Sequence, residues 1–505
     1  MSKFYVTTPI YYVNDAPHVG HSYTTVVADA LARWHRLIGD EVFFLTGTDE
    51  HGDKIYRAAL KNNKTAQEWV DLTSQRFKKA WEALDISYDY FIRTTEERHV
   101  ETVKKFLSKI YENGFIKLDT YSGYYCVGCE AYKDESEIQN GKCPDHLTPL
   151  EWLEEQNYFF TLSQFQDRLL YWYEKYPEAI KPDYRRNEVV AFVKAGLKDV
   201  SITRTSTSWG VQVPWDDKHV FYVWYDALVN YLTAIDYPDG KEFSQWWSNV
   251  CHLLAKDIIR FHCVWWPAMC MAAGIDPPNQ LFIHGHLLVG GKRVSKTRLQ
   301  SESEISITKI SPIDLANEFT SDVIRYYLLR EIPLGNDGEF SYENIWRRYN
   351  DDLANDLGNL LQRVVTLIVN KLEGFCPGAP EDSPLKDDVM QAIEDVKNCW
   401  QHFLVNQALE IPIELIRKTN SYLEETEPWK ITDVNQLKNI LGSASEVLRI
   451  VAVLIYPAMP KTSYEIYSRL GINRLSNSSS ELNWGLGGNT RIEKKSPLFP
   501  RRASK

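Results

Sequence analysis

The sequence predicts an α/β domain built on a parallel sheet, interrupted by a metal-binding insertion and followed by an all-α bundle. Three observations predict it: strand-like runs that alternate with helical periodicity, two Cys/His pairs at metal-ligand spacing, and long helical periodicity in the last third. The chain has 505 residues, of which 44% are hydrophobic and 25% charged. At roughly 150 residues per domain, this length predicts about three or four domains.

The first forty residues show a strand, a loop and a helix in succession. Lys3–Thr8 is β-branched and aromatic, Pro9 ends the run, and Ser22–Leu37 has apolar residues at helical spacing. His18 and His21 lie at the start of that helix, on one face. Because the free N–H groups of a helix start attract anions, this layout predicts a site for a nucleoside triphosphate. Two satisfied histidines at an ordinary helix start are the alternative.

Two further loops follow strand-like runs. Glu41–Thr46 leads into a polar cluster, Gly47–Gly52, at the position where open parallel sheets bind ligands. Leu281–Val289 leads into Gly290–Thr297, which offers three cations and a hydroxyl. We interpret this last loop as a second phosphate loop, with a solvated basic loop as the alternative.

Four metal-binding side chains lie between the two halves of the predicted sheet. Cys126-Val-Gly-Cys129 and Cys143-Pro-Asp-His146 pair two short spacings across a polar stretch. The pattern predicts one tetrahedral zinc site, and four protein ligands leave no open position, so the ion's role is structural. The other cysteines lack partners at ligand spacing and are predicted to be small core or boundary residues: Cys251, Cys263, Cys270, Cys376 and Cys399.

From about Ile345 the chain shows long helical periodicity, which predicts a helical bundle. Asn355, Asn359 and Arg363 share one predicted face, and Trp429 lies at another helix boundary. Amides, a guanidinium and an indole suit a splayed single-stranded RNA loop, because its bases stack on aromatic rings and expose their edges. A hydrated helix face is the alternative.

The formal net charge of -11 excludes a generally basic protein. It does not exclude a nucleic-acid partner, because binding depends on local Lys and Arg patches. The tail, residues 476–505, ends in such a basic stretch and is expected to contact RNA phosphates or to be solvated. No run of about 18 apolar residues occurs, so we expect a cytoplasmic protein with no membrane partner.

Two motifs in this order carry a resemblance to a known class. His18-Val-Gly-His21 and Lys292-Arg-Val-Ser-Lys-Thr297 resemble the two signatures of class I aminoacyl-tRNA synthetases. Within that class the chain is similar to methionyl-tRNA synthetases, through long matches. These are Thr7–Tyr12, Thr46–Gly52, Tyr222–Tyr231 and Lys256–His262.

The resemblance implies a Rossmann-type catalytic domain with a zinc-knuckle connective insertion, followed by an anticodon-binding helical bundle. The implied boundaries are residues 1–115 and 214–289 for the catalytic halves, 116–213 for the insertion, 290–344 for a signature-loop and stem-contact region, 345–475 for the helical domain and 476–505 for the tail.

The resemblance also implies the roles of individual side chains. Those implied to bind methionine are Pro9, Ile10, Tyr12, Asp49, Trp224, Ala227, Leu228, Tyr231, Ile258, His262 and Trp266, with Asp49 receiving the ammonium group. Those implied to bind ATP are His18, Gly20, His21, Lys256, Asp257, Arg293 and Lys296. The implied catalytic residues are His18, His21, Arg204 and Lys296. The implied anticodon-binding residues are Asn355, Asn359, Arg363 and Trp429.

The implied reaction is the activation of L-methionine with ATP and its transfer to tRNA(Met), initiator and elongator. Mg2+ is expected with ATP, one Zn2+ in the insertion, and a monomer in solution. Other class I synthetases, nucleotidyltransferases and an inactive tRNA-binding relative are the alternatives.

The sequence departs from the family's motifs near the predicted nucleotide. Ala255 stands where the family usually has Gly, and Arg293, Val294 and Thr297 replace Lys, Met and Ser of the second signature. A longer polar stretch, residues 298–310, follows. We expect these changes to alter loop kinetics before they abolish activity.

Overall fold

A seven-stranded parallel sheet organises the first part of the chain. The computed structural model describes residues 2–126, 131–133, 138, 141–144, 147–205, 207–289, 292–293, 310–476 and 478–501. The strands are β1 (Lys3–Thr7), β2 (Tyr11–Tyr12), β3 (Glu41–Asp49), β4 (Tyr90–Arg93), β5 (Ile116–Cys126), β6 (Ala131–Lys133), β7 (Glu151–Phe160), β8 (Ile180–Lys181), β9 (Val200–Ser201), β10 (Thr203–Arg204), β11 (Val220–Phe221), β12 (Val250–Ala255), β13 (Gln280–His284), β14 (Leu287–Val289), β15 (Lys292–Arg293), β16 (Gly338–Glu339), β17 (Phe375–Cys376) and β18 (Thr490–Arg491).

Helices cover the sheet and form most of the last third of the chain. They are α1 (Val19–Leu37), α2 (Asp53–Lys61), α3 (Ala66–Ala83), α4 (Glu97–Glu112), α5 (Gln166–Lys175), α6 (Asp183–Lys194), α7 (Val223–Ala227), α8 (Asn230–Thr233), α9 (Phe243–Trp247), α10 (Trp266–Ala273), α11 (Pro312–Phe319), α12 (Ser321–Glu331), α13 (Tyr342–Arg348), α14 (Asn359–Lys371), α15 (Lys386–Gln401), α16 (Val405–Thr426), α17 (Val434–Ile455) and α18 (Pro460–Arg469). None of these described helices is long and apolar enough to cross a membrane.

The sheet places its ligand-binding edge at the end of β1. β1 pairs in parallel with β3 on one side and with β12 on the other, and β13 and β8 follow beyond β12. The chain adds β3 on one side of β1 and later adds β12 and β13 on the other side. The direction of winding therefore reverses beside β1. Open α/β sheets bind ligands at such a point, beyond the carboxyl ends of the strands.

Side chains of β1 and β3 alternate between two cores. Val6 and Phe44 pack with α1 and the C-terminal helices, whereas Tyr5 and Leu45 pack with α4 and α10. This period of two is what a sheet with both faces covered requires. The five cysteines that the sequence predicts as core or boundary residues are all buried in the core.

The predicted single strand Leu281–Val289 is wrong, because the chain leaves the sheet in its middle. It forms β13 and then β14, which pairs with β15 and β16 instead. Gly285 lies at the break, and a Cβ added there would lie 2.1 Å from the carbonyl carbon of Asn336. Only glycine permits this approach of two backbones, which periodicity cannot reveal.

The predicted insertion contributes to the main sheet. β5, β6, β7 and β9 form a separate antiparallel sheet, but β8 pairs in parallel with β13 as the edge strand of the catalytic sheet. The boundaries 116–213 of the insertion therefore stay a prediction. Within that range, β8 is a strand of the catalytic sheet.

The C-terminal helices pack against one another in sequence order: α15 on α16, α16 on α17 and α17 on α18. Val389–Glu414 is one of the segments with helical periodicity within the predicted bundle. The structure divides it into α15 and α16 at Phe403, whose φ of 60° lies in the left-handed region that ends a helix.

The described part of the tail packs on these helices. β18 pairs antiparallel with β17, and the Tyr349 hydroxyl donates to the Pro500 carbonyl at 2.7 Å. The tail is therefore not simply solvated up to residue 501, as one of the two sequence-based alternatives supposed. Its contact with RNA phosphates stays a prediction.

Candidate active site

The N-terminus of α1 carries two stacked imidazoles. The His18 Nδ1 atom accepts the N–H of Gly20 at 3.2 Å, and the N–H of His18 donates to Nδ1 of His21 at 3.2 Å. The ring centroids lie 3.7 Å apart. Because both Nδ1 atoms accept, each neutral ring carries its proton on Nε2. A Cβ on Gly20 would lie 3.0 Å from the His18 ring, so the missing side chain is part of this arrangement.

One cavity of about 390 Å³ lies beyond the carboxyl ends of the sheet strands. Its walls come from the loop after β1, the end of β3, α7, α8 and the ends of β12 and β13. Four predicted ATP-site residues line it: His18, Gly20, His21 and Asp257. Most of the predicted methionine-site residues line the same cavity: Pro9, Ile10, Tyr12, Asp49, Trp224, Ala227, Leu228, Tyr231, Ile258 and His262.

His262 is held neutral at the apolar end of this cavity. Its Nδ1 atom lies 3.1 Å from the carbonyl of Ile258, which can only accept, so Nδ1 carries the proton. Its Nε2 atom then accepts from the Tyr231 hydroxyl at 2.8 Å. Burial lowers the pKa of His262 to about 4, although the Ile258 carbonyl and Asp257 raise it. The imidazole therefore adds no charge to this wall.

Trp266 lies one layer behind the cavity. It is fully buried and donates its indole N–H to His252 Nε2 at 3.3 Å. The His252 Nδ1 atom therefore carries its proton and donates to the Thr7 hydroxyl at 2.8 Å. The structure thus places Trp266 against His252, behind the cavity and outside its described lining.

Other residues predicted to bind ATP or to take part in catalysis lie outside the described lining. Lys256 pairs with Asp337 at 2.6 Å. Arg204 is buried in the insertion, where its guanidinium lies 4.3 Å from the Tyr222 ring centroid and donates to the Thr203 carbonyl at 2.7 Å. Arg293 is described only through the backbone of β15, and Lys296, Val294 and Thr297 lie outside the described residues.

The cavity also contains residues that the sequence-based reasoning missed. The Thr24 hydroxyl lies 2.8 Å from His284 Nε2, and His284 Nδ1 lies 2.7 Å from the Gly285 carbonyl. The Gly285 carbonyl can only accept, so Nδ1 carries the proton and Nε2 accepts from Thr24. Burial lowers the pKa of His284 to about 4. The spacing His284-Gly-His286 at the end of a strand was the available signal. Tyr11, Tyr23, Asn230 and Leu287 also line the cavity.

Comparison with known proteins decides the family. Residues 4–149 and 147–365 match the family described as tRNA synthetases class I (M). The methionine–tRNA ligase of Caldanaerobacter subterraneus subsp. tengcongensis is 42% identical over 510 residues, which cover 99% of this chain and 78% of that protein. The methionine–tRNA ligase of Thermotoga maritima is 43% identical over 511 residues, which cover 98% of this chain and 80% of that protein. The chain belongs to the methionyl-tRNA synthetase family.

A solved structure from this family has the same fold. The Mycobacterium tuberculosis methionyl-tRNA synthetase in complex with methionyl-adenylate matches with a TM-score of 0.93 at 40% identity, over 99% of this chain and 100% of that one. The resemblance read from the two signature motifs is confirmed, and so is the class I synthetase fold with its parallel sheet.

Two of the four predicted zinc ligands lie among the described residues. Cys126 ends β5, Cys143 lies between β6 and β7, and both are buried. Two buried thiols on a short antiparallel insertion fit a thiolate-rich structural site. Cys129 and His146 lie outside the described residues. Within the described ranges, no group of three or more His, Cys, Asp or Glu is arranged to hold a metal.

The predicted RNA-binding residues partly cluster on the C-terminal helical region. The Arg363 guanidinium lies 5.6 Å from the Trp429 ring centroid and pairs with Glu424 at 2.8 Å. Trp429 is 37% exposed, so part of its side chain is accessible beside a cation. Asn359 is exposed and Asn355 half-buried on the same run of helix. π-Helical residues 349–358 precede α14 and change the helical phase between these two asparagines.

Proposed function

We propose that the cavity binds methionine at its apolar end and ATP beside the stacked imidazoles. The chain is a methionine–tRNA ligase, which activates methionine with ATP to methionyl-adenylate and transfers it to tRNA. The observation that carries the proposed site is that one cavity is lined both by the His18 and His21 pair and by an apolar wall with Asp49. The carboxylate of methionine and the α-phosphate of ATP can therefore meet within it.

The methionine end of the cavity, meaning Asp49 with the apolar wall, suits an unbranched thioether. Tyr231, Trp224 and the residues around them offer apolar and aromatic surface, which a polarisable sulfur prefers. His262 is neutral there, and its Nε2 atom already accepts a hydrogen bond from Tyr231. This imidazole therefore needs no charged group on the ligand as a partner. Asp49 receives the α-ammonium group, the only cation that methionine carries.

The ATP end stabilises phosphate charge without a covalent nucleophile. His18 and His21 donate from Nε2 to phosphate oxygens, and Gly20 lets the adenine approach the backbone. Asp257 holds the ribose, and Lys256 leaves its ion pair with Asp337 to reach the nucleotide. Arg293 and Lys296 approach the β- and γ-phosphates from the second signature loop. Arg204 assists activation from the insertion. Mg2+, when bound with ATP, would offset phosphate charge.

The reaction has two transfers that balance without a further reagent. The methionine carboxylate attacks the α-phosphorus and pyrophosphate leaves, which forms the mixed anhydride. The terminal ribose hydroxyl of tRNA then attacks the acyl carbon, loses its proton and displaces AMP. The aligned groups supply position and electrostatic stabilisation, which are the main contributions that such transfers require.

The insertion is proposed to hold one structural zinc ion through Cys126, Cys129, Cys143 and His146. Such an ion, when bound, would tie the end of β5 to the segment between β6 and β7 and substitute for a core that a short insertion cannot build. Burial of Cys126 and Cys143 supports this assignment.

The helical region is proposed to read the anticodon of initiator and elongator tRNA(Met). The partly exposed Trp429 side chain beside Arg363 supports base stacking with a charged neighbour. Asn355 and Asn359 supply amides for base edges. Arg363 then exchanges its ion pair with Glu424 for contacts with RNA. A monomer acting in the cytoplasm remains our prediction, which sedimentation and cell fractionation can check.

The decisive experiment is exchange of labelled pyrophosphate into ATP with each of the twenty amino acids. We expect exchange with methionine, loss of it in Lys296→Ala, and near-normal exchange in Trp429→Ala with a raised KM for tRNA in aminoacylation. Tyr464→Ala is the matched control, because Tyr464 is an exposed aromatic residue on α18, away from Arg363. Lack of exchange with every amino acid would contradict the proposed site and favour an inactive tRNA-binding protein.

A further inference from the structure

A buried carboxylate with two imidazole partners lies directly behind the cavity. Asp226 is fully buried, and its two oxygens lie 2.5 Å from His51 Nδ1 and 2.8 Å from His99 Nε2. Burial would raise the pKa of Asp226, but the two imidazoles lower it to about 2. Asp226 is therefore an ionised acceptor that holds both rings by charge-assisted hydrogen bonds.

Asp226 and His51 belong to two chain segments that contribute different walls of the cavity. Asp226 itself lies on α7, between the lining residues Trp224 and Ala227. His51 lies two residues after Asp49, and its carbonyl accepts from the Tyr12 hydroxyl at 3.1 Å. None of Asp226, His51 and His99 belongs to the described lining.

The outer partner extends this network to α8. Nδ1 of His99 lies 3.0 Å from the Thr233 hydroxyl, at the end of the helix that carries the lining residues Asn230 and Tyr231. The network therefore joins the loop after β3, α7 and α8, which together form the methionine end of the cavity.

We propose that Asp226 is a positioning residue that sets the distance between the Asp49 carboxylate and the Trp224 and Tyr231 wall, and so determines affinity and selectivity for methionine. The proposal rests on the proposed function, in which Asp49 receives the ammonium group. Asp226 acts through His51 and His99 and does not touch the substrate.

The physical reason is that methionine is bound at two ends. Its ammonium group and its thioether contact walls that lie far apart in sequence, since His51 and Asp226 are separated by 175 residues. Without a cross-link, their spacing would depend on apolar packing, which tolerates small shifts. A displacement of Asp49 relative to the wall weakens methionine binding, whereas the His18 and His21 pair on α1 is held by separate contacts.

The test compares KM values in pyrophosphate exchange for the full-length Asp226→Asn variant. Asparagine keeps the shape but loses the charge, and it offers one accepting oxygen to two imidazoles. We expect the KM for methionine to rise about tenfold or more, with kcat reduced by no more than about threefold and the KM for ATP within about twofold. An equal rise in both KM values, or none in a folded variant, would overturn the proposal.

Glu446→Gln is the matched control. Glu446 is equally buried and paired, with Arg449 at 2.7 Å, but it lies on α17 in the C-terminal region. The same loss of a buried charge there should lower the melting temperature and leave the KM for methionine unchanged. A rise in that KM for Glu446→Gln would assign the effect of Asp226→Asn to general destabilisation.

Two further variants keep the outcome decisive. Asp49→Asn tests the proposed site itself. A normal KM for methionine in Asp49→Asn would refute the site. A raised KM in Asp49→Asn together with a normal KM in Asp226→Asn would refute only the positioning role. If Asp226→Asn does not fold, His99→Gln decides by the same comparison of KM values, because it removes only one of the two imidazoles.

Discussion

Three neutral imidazoles lie in the lining of the cavity or directly behind it. Burial lowers the pKa of His262 and of His284 to about 4, and it lowers the pKa of His252 well below its usual value. Each ring donates a hydrogen bond from one nitrogen and accepts one at the other. His252, for example, donates to Thr7 and accepts from Trp266. Protonation would place a second donor opposite an existing donor, in an apolar wall.

Acidification is therefore expected to destabilise the fold. The unfolded chain takes up protons on these rings below pH 6.5, whereas folded His262 resists until about pH 4. The contribution of the neutral ring to the free energy of unfolding is fully present above pH 6.5 and is lost as the pH falls towards 4. For a ring whose pKa is shifted this far, the loss is about 3 kcal/mol. Calorimetry between pH 7.5 and 5 should show a smaller loss of melting temperature in His262→Asn than in the wild type. Equal losses would contradict this.

Gly20→Ala is expected to impair ATP use without unfolding the protein. The new methyl group would meet the His18 ring at 3.0 Å and displace it from His21. We expect a loss of about tenfold or more in kcat/KM for ATP, because small misplacements of charge-stabilising donors are costly. Gly378→Ala is the control, since its nearest contacts are at 3.6 Å or more. Unchanged kinetics in Gly20→Ala would contradict the assigned role of this pair.

At the scale of elements, α1 is anchored from the opposite side by a buried arginine. Arg325 of α12 pairs with Asp29 of α1 at 2.6 Å and donates to the carbonyls of Pro457 and Ala458, which follow α17. Burial would raise the pKa of Asp29, but Arg325 and Arg33 hold it well below its usual range. The helix that carries His18 and His21 is thus fixed to the C-terminal helices by one fully buried guanidinium.

Arg325→Met should destabilise this junction strongly. It leaves the Asp29 charge buried with one partner fewer, and breaking a buried pair costs about 3 to 5 kcal/mol. Arg347→Met, which removes an exposed pair with Glu331, should cost less than about 1 kcal/mol. Differential scanning calorimetry of both variants compares the two. Similar melting temperatures for the two variants would show that Arg325 does not hold the junction.

At the scale of the whole molecule, the tail closes the C-terminal region. Both oxygens of Glu446 accept backbone N–H groups of residues 485–487, and Arg449 donates to the carbonyls of Glu481 and Asn483. Two buried charged side chains of α17 therefore find their backbone hydrogen-bond partners in residues 481–487, which belong to the predicted tail.

Deletion of residues 476–505 is expected to lower stability and spare methionine activation. Glu446 and Arg449 would keep each other but lose their backbone partners, so we expect the melting temperature to fall by at least about 5 °C. The cavity lies in the other part of the chain, so pyrophosphate exchange at 25 °C should stay within about twofold. Deletion of residues 502–505 is the control. A normal melting temperature for the longer deletion would contradict the tail's role.

Much of the site could be predicted because its motifs are local in sequence. His18, Gly20 and His21 belong to one helical turn, and Asp49 directly follows a strand, so spacing and family resemblance sufficed. Thr24 and His284 were missed, because their contact joins residues 260 positions apart. Arg204 and Trp266 matched family positions, but the structure places both outside the described lining.

The sequence by itself determined the family, the parallel-sheet fold and most residues of the cavity, since chemistry-bearing motifs and periodicity are properties of short segments. Only the tertiary structure decided where β13 ends, how β8 joins the sheet, where the tail packs and which buried charges meet. Those features depend on backbone approach at Gly285 and on pairs such as Asp226 with His51 and His99. Such contacts join distant segments, and their free energy exists only once the chain has brought them together.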